Sequence, residues 1–500
     1  MQTGADSSKL AVAARIDAGM LPNDRRSATS NAVWPGCTPI DPATERGRTA
    51  MQSETSQRKP ALFGRNAAES APFAARAEGI RIWDEAGNEY LDASSGAISV
   101  ISVGHGVEEV VEAMAAQARA FAYVLGGRLR HHPAEDLAQA LAAMAPGDLN
   151  RVIFVSGGSE ANETAFKLAR NYHVVRGKPE KYIVLSRRRS YHGATLATLS
   201  LSGYEERRGP YGPLLLWEPQ VAECNCYRCP FGLSYPQCQL RCANDLQRAI
   251  DEYGAEKIAA FIAEPIVGAA GAATTPPDGY FQTIREICER NDILFIADEI
   301  ITGLGRTGRN FGIEHWGVVP DVITTAKGLS GGYVPLGAVI VSDKVADAFD
   351  AAGKPFVHGF TYMAHPVTTA AALAVLNVVQ REQLIENARV QGERLFSRLA
   401  VLADSEPLVG EVRGKGLLAG LELVTDPWTK QPHAKSLGVT QRLIAAAQAR
   451  GLMLYPCQSG EGHGDQVIVS PPLTVTAEEI DAIVERLTLA LADVRADLDA

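Results

Sequence analysis

Nowhere in the 500 residues does an apolar run approach the roughly 20 residues that a membrane-crossing helix needs, so no span is expected. Basic charge is also in short supply. The 48 Lys and Arg stand against 58 Asp and Glu, and the net charge of −10 speaks against nucleic acid or an anionic membrane as the main partner. The opening stretch, MQTGADSSKLAVAARIDAGM, lacks both a basic start and a continuous apolar segment, so no secretory signal is expected. The expectation is a cytoplasmic chain with its eight cysteines mainly reduced. No internal repeat is present. What is there, 46% hydrophobic and 21% charged residues over two or three domains' worth of length, is the composition of a globular enzyme.

Two apolar runs carry the chemistry. ILFIA ends in Asp298 and Glu299, and DVITTA ends in Lys327 and Gly328. A short unbroken apolar run closed by a polar residue predicts a strand buried on both faces of a parallel sheet. Its polar residue then lies at the carboxyl edge, where open α/β sheets place ligands. A lysine there is most often a solvated chain end. With an acid at the end of a sister strand, it also suggests Schiff-base chemistry, with a carboxylate keeping a pyridinium nitrogen protonated.

DEIITGLGRTG followed by TTAKGLSGGYVPLGAV resembles the signature of the class III pyridoxal-phosphate aminotransferases, and the likeness runs from about Ala61 to the C-terminus. The resemblance implies the fold type I architecture. That is an α/β fold with a large domain, its mostly parallel sheet flanked by helices, and a smaller α/β domain. It implies pyridoxal 5'-phosphate as cofactor, Lys327 as its covalent lysine and Asp298 as the partner of the pyridine nitrogen.

Pattern along the chain agrees with an α/β fold. Residues 1–60 are polar and aperiodic, which reads as a disordered tail or as an arm laid on a neighbouring subunit. A hairpin is expected over 79–91, then helices over 107–122 and 133–144. Strands are expected over 151–155, 181–185, 258–262 and 337–341, with helices over 160–174 and 281–290 between them. A long helix from Thr368 to Asn387 or beyond leads to strands over 416–424 and 466–470 and a closing helix over 477–498. The division expected is residues 61–106 as the N-terminal part of the small domain, 107–365 as the large cofactor-binding domain, and 366–500 as the C-terminal part of the small domain.

Further residues gather round the two runs. SGGSEANE joins a strand to a helix, and Gly158 and Ser159 sit where a helix N-terminus favours a phosphate. Taken alone, such a start is most often just a helix cap. The resemblance to the family's SGSEA motif makes it the phosphate cup. In SYHGAT, Tyr191 matches the aromatic that stacks on the pyridoxal ring and Ile300 packs on the other face; the alternative for Tyr191 is a core tyrosine. His192 is read in a supporting role. Glu264, at the end of another buried run, resembles an acid kept near the cofactor. Ala269 and Ile301 stand where members acting on glutamate or ornithine carry glutamate and often glutamine. These departures point to the ω-amine or β-alanine:pyruvate branch. Arg413 matches an arginine that pairs with a substrate carboxylate and, lacking that glutamate, is expected to be free to do so; otherwise it braces the small domain. HGFTYMAHP resembles a stretch in which the threonine, Thr361, reaches the phosphate of the neighbouring subunit, which implies a homodimer with shared active sites. His105, in a GHG loop, is in the region that lines the substrate mouth in the family.

Five cysteines fall between Cys224 and Cys242, in an insertion over 222–243 foreign to the family pattern. Cys226, Cys229, Cys238 and Cys242 have spacings that fit a tetrahedral Zn²⁺; two disulfides or free thiols are the alternatives. The expected activity is transfer of an amino group from an amine or ω-amino acid to a keto acid, pyruvate above all, by a ping-pong cycle. Another reaction on the same cofactor (a racemase, aminomutase or decarboxylase) or a non-catalytic relative is the alternative.

Overall fold

The computed structural model describes residues 71–124, 126–457 and 463–500. The expectations for residues 1–60 and for 61–70 lie outside them. Pro72–Ala500 form one compact unit. In chain order its strands are β1 (Ala74–Glu78), β2 (Arg81–Asp84), β3 (Glu89–Asp92), β4 (Leu149–Val155), β5 (Ile183–Arg187), β6 (Gln220–Val221), β7 (Ile258–Ala263), β8 (Leu294–Asp298), β9 (Val322–Thr325), β10 (Gly337–Ser342), β11 (Val409–Lys415), β12 (Leu418–Leu423), β13 (Leu452–Met453), β14 (Tyr455–Cys457) and β15 (Asp465–Val469).

The central sheet has the order β4-β10-β9-β8-β7-β5-β6. Four of its pairings, from β9 through β8, β7 and β5 to β6, are parallel. Strand β10 is antiparallel to both β4 and β9. The carboxyl ends of β4, β5, β7, β8 and β9 therefore share one edge with the start of β10. Alternation along the strands splits the core between the two faces of the sheet. Phe261 and Phe295 pack on one face with Phe281 of helix Tyr280–Arg290, their ring centroids 5.8–6.3 Å apart. Ala260, Ile262 and Ile296 pack on the other with Ala165, Leu168 and Tyr172 of helix Gly158–Val175. Each fully buried phenylalanine contributes on the order of 1.5–3 kcal/mol.

Two four-stranded sheets complete the fold, β1-β2-β3-β13 and β11-β12-β15-β14. A separate core joins them to helices Pro366–Arg381, Leu384–Ser405 and Ala477–Asp499, through residues such as Leu91, Leu395, Leu421 and Leu487. Among the described residues no helix is long and apolar enough to cross a membrane.

Three expectations shift. The strand placed at 181–185 runs Ile183–Arg187, because Lys181 turns in to give its ammonium to the carbonyls of Ala255 and Ile258 at 2.7 and 3.0 Å. The single helix beyond Pro366 is two, broken where Gln383 adopts a left-handed backbone, φ 53°. Strand β11 and helix Val439–Ala449 were not expected.

Candidate active site

A cavity of about 460 Å³ opens at the shared sheet edge. Each element delivers a side chain there because its strand stops there: Asp298 closes β8, Glu264 follows β7, Lys327 follows β9 by two residues, and Pro335 and Leu336 lead into β10. Gly158, Ser159, Tyr191, His192 and Ile300 line the same space. Eight of the expected site residues thus meet in one cavity: Lys327, Asp298, Gly158, Ser159, Tyr191, His192, Glu264 and Ile300.

Asp298 is buried, and its two oxygens are treated differently. Oδ2 accepts from His192 Nδ1 and from Asn162 Nδ2, each at 2.7 Å. Among the described residues Oδ1 accepts only the Ile300 amide, at 3.2 Å. Asn162 is oriented in turn by Thr324, whose hydroxyl donates to its Oδ1 at 2.7 Å. Sequence reasoning missed Asn162 and Thr324. A signal existed: Asn162 lies three residues past Ser159, on the same face of the helix.

Lys327 is half-buried, two residues past β9, with a left-handed backbone, φ 46°, in a short 3-10 turn. Burial lowers its pKa to about 8, against the pull of Asp298 and Glu264. Among the described residues its amine makes no hydrogen bond and no ion pair. A lysine of ordinary pKa is neutral at pH 7 about once in three thousand; at about 8 it is neutral roughly once in ten.

Glu264 accepts the Tyr191 amide at 2.9 Å and the Gly268 amide at 2.8 Å, while burial raises its pKa. It fixes the loop that carries Tyr191. Helix Gly158–Val175 turns its N-terminus to the cavity, where first-turn amides have no carbonyl of their own helix to meet. Ser159 Oγ accepts the Ala194 amide at 3.0 Å, so its proton is free to be given away. Close packing keeps this corner clear. A Cβ on Gly158 would meet Ile300 Cδ1 at 2.9 Å, and one on Gly193 would meet Ser159 Oγ at 2.8 Å. Ile301 also lines the cavity, and Ala269 is buried.

Three expected residues lie elsewhere. Thr361 is exposed, outside the cavity lining. His105 is not in the lining either; it bridges to Gly79 and faces Asp92 at 3.8 Å. The reading of Arg413 as an uncompensated guanidinium is corrected. It is buried between Glu422, at 2.8 Å, and Glu411, and donates to the carbonyls of Gly271 and Ala272. All its charge is answered within the chain. Glu422 sits on β12, opposite β11, and the sequence did not reveal that pairing.

The zinc reading is corrected as well. Cys226, Cys229, Cys238 and Cys242 surround a small cleft, but among the described residues no group of three or more His, Cys, Asp or Glu side chains can hold a metal ion. The seven described cysteines are also unpaired, so the cluster is a set of free thiols.

A lysine and a carboxylate on sister strands of this sheet, facing a helix N-terminus, define a pyridoxal-phosphate enzyme of fold type I. Oδ1 of Asp298, with one weak amide contact, has room for a pyridine N–H, and the open helix end fits a phosphate. Comparison narrows this further. The class III aminotransferase family model matches residues 63–491. YodT, an aminotransferase of Bacillus subtilis, is 41% identical over 85% of this chain and 96% of its own. The putrescine–pyruvate aminotransferase of Pseudomonas aeruginosa is 40% identical over 83% and 88%, and the taurine–pyruvate aminotransferase of Bilophila wadsworthia 37% over 84% and 92%. The solved (S)-enantioselective ω-transaminase of Thermomicrobium roseum superposes with a TM-score of 0.83 at 38% identity, over 89% of this chain and 98% of that one. The chain belongs to the class III aminotransferases, and pyridoxal 5'-phosphate is its cofactor.

Proposed function

We propose that this aminotransferase moves an amino group from an amine or ω-amino acid to pyruvate, donor and acceptor taking turns at one site. The observation that carries the reading is the opening of Lys327, Asp298 and the helix N-terminus at Ser159 onto one cavity. The pyruvate-using relatives support the choice of acceptor. So does Ile301, an apolar side chain in the cavity lining.

When bound, pyridoxal phosphate supplies an electron sink for a carbanion. The chain supplies the rest. Lys327 Nζ would hold the cofactor covalently, and its amine would serve as the proton-carrying base. Asp298 Oδ1 would face the ring nitrogen, while His192 and Asn162 on Oδ2 keep the carboxylate aimed. The amides of Gly158 and Ser159 and the Ser159 hydroxyl take the phosphate. Tyr191 and Ile300 flank the ring, and Glu264 steadies the loop of Tyr191.

The active unit in this reading is a homodimer in which Thr361 reaches the neighbouring subunit's phosphate. Exposure of Thr361, Tyr362 and Val357 on one loop supports it. The division at residues 106 and 365 and a cytoplasmic location belong to the same reading, the latter supported by the unpaired thiols. The test is borohydride reduction of the loaded protein followed by peptide mass analysis. The cofactor mass is expected on the peptide carrying Lys327 and absent in Lys327→Ala; attachment elsewhere refutes the assignment.

A further inference from the structure

A keto acid brings a carboxylate to the site, and Arg413 has no charge left to meet it. The other arginines near the cavity floor are engaged too. Arg189 faces Glu223 at 3.4 Å and donates to the Ala270 carbonyl at 3.0 Å. Arg187 is fully buried, giving its N–H groups to the Glu264 carbonyl and to Cys224 Sγ.

Arg207 differs. It sits in the four-residue helix Glu205–Arg208, half-buried, with its Cζ 4.7 Å from the ring centre of Tyr191 and 5.1 Å from that of Tyr204. Two aromatic rings hold the guanidinium through their faces. An arginine has five N–H donors, so the fork is not consumed. Among the described residues no carboxylate lies within 4.0 Å of it. Its neighbour Arg208 shows the contrast, donating to the carbonyls of Ser200, at 2.9 Å, and Ser202 at closer range. Arg207 is not itself in the cavity lining but touches Tyr191, which is, and its charge opposes protonation of Lys327.

We propose that Arg207 anchors the carboxylate of the keto-acid acceptor beside Tyr191, in the role that Arg413 is too heavily paired to fill. The proposal rests on the pyruvate-dependent reading above. A planar guanidinium held by aromatic rings suits bidentate capture of a carboxylate, and partial burial strengthens the pair. An amine donor without a carboxylate makes no use of it.

The experiment uses the loaded full-length enzyme, with pyruvate and an uncharged aldehyde (butanal) as alternative acceptors for one amine donor. Arg207→Gln is expected to lower the ratio of kcat/KM for pyruvate to that for butanal at least tenfold, mainly through KM for pyruvate. Arg207→Lys, which keeps the charge but not the fork, is expected to fall between. A ratio within twofold of wild type in Arg207→Gln overturns the proposal. Propanoate, a carboxylate that cannot react, gives a readout free of turnover. In ligand-observed NMR it is expected to bind wild type and to lose most of that binding in Arg207→Gln; equal binding overturns the proposal. A wild type that reacts with amines but ignores pyruvate overturns the acceptor reading instead, and the propanoate result then decides Arg207 alone.

Discussion

Asn162 and Asp298 meet side chain to side chain at 2.7 Å, a helix reaching over the sheet to the end of β8. Asn162 also donates to the His192 carbonyl at 2.7 Å and accepts from Thr324. One amide therefore ties the helix of the phosphate corner, the loop of Tyr191 and two strands to the carboxylate that faces the cofactor. Replacing it strips one donor from Oδ2 and orphans the Thr324 hydroxyl. Asn162→Ala is expected to lose about 1–3 kcal/mol of stability by denaturant titration. It is also expected to lose about 10–100-fold in kcat or cofactor affinity, the usual effect of losing a residue that orients a functional group. Unchanged cofactor affinity and turnover would show that Asp298 does not depend on it.

Lys327 sets a pH dependence of its own. Its folded pKa of about 8 lies below the ordinary lysine value, so its neutral form is lost as pH falls through 8. Capture of added cofactor by cofactor-free protein needs the neutral amine. Its rate is expected to fall about tenfold per unit below pH 8 and to level off above it. Stopped-flow absorbance from pH 6 to 10 measures this. A break near 10.5 would mean that burial has not tuned the lysine.

The Arg413–Glu422 pair makes an acid-stability prediction. Arg413 and Arg228 hold the Glu422 carboxyl down to about 2, overcoming the burial that would raise it. A carboxylate depressed in the fold stabilises above its unfolded pKa and loses that contribution as pH falls toward 2. The span, from the ordinary 4.5 to about 2, corresponds to on the order of 3 kcal/mol. Glu422→Gln should be less stable at pH 7 by about 3–5 kcal/mol, since it leaves buried arginine charge behind. Its unfolding free energy should also vary less than wild type between pH 4.5 and 2. Parallel pH profiles would contradict the pairing.

Much of this was legible in the sequence because buried parallel strands write themselves as short apolar runs. ILFIA and DVITTA by themselves locate both Asp298 and Lys327. Contacts across the chain were not legible. That Glu422 on β12 answers Arg413 on β11 depends on strand register, and local pattern carries no information about it. Gln383 breaks a helix within a sequence of good helix formers, through a backbone conformation that composition does not announce. Asn162 was readable in SGGSEAN, one helical turn past Ser159, yet its meaning depends on where the strand of Asp298 ends. The cysteine spacing suggested a ligand set, but spacing alone does not bring four sulfurs together.

The most direct test of the central claim is the visible spectrum of the loaded enzyme through both halves of the cycle. An amine or ω-amino acid should bleach the band of the lysine-bound cofactor, and pyruvate, added after removal of the donor, should restore it with formation of alanine. A band that no amino donor bleaches, in protein saturated with cofactor, would contradict the account.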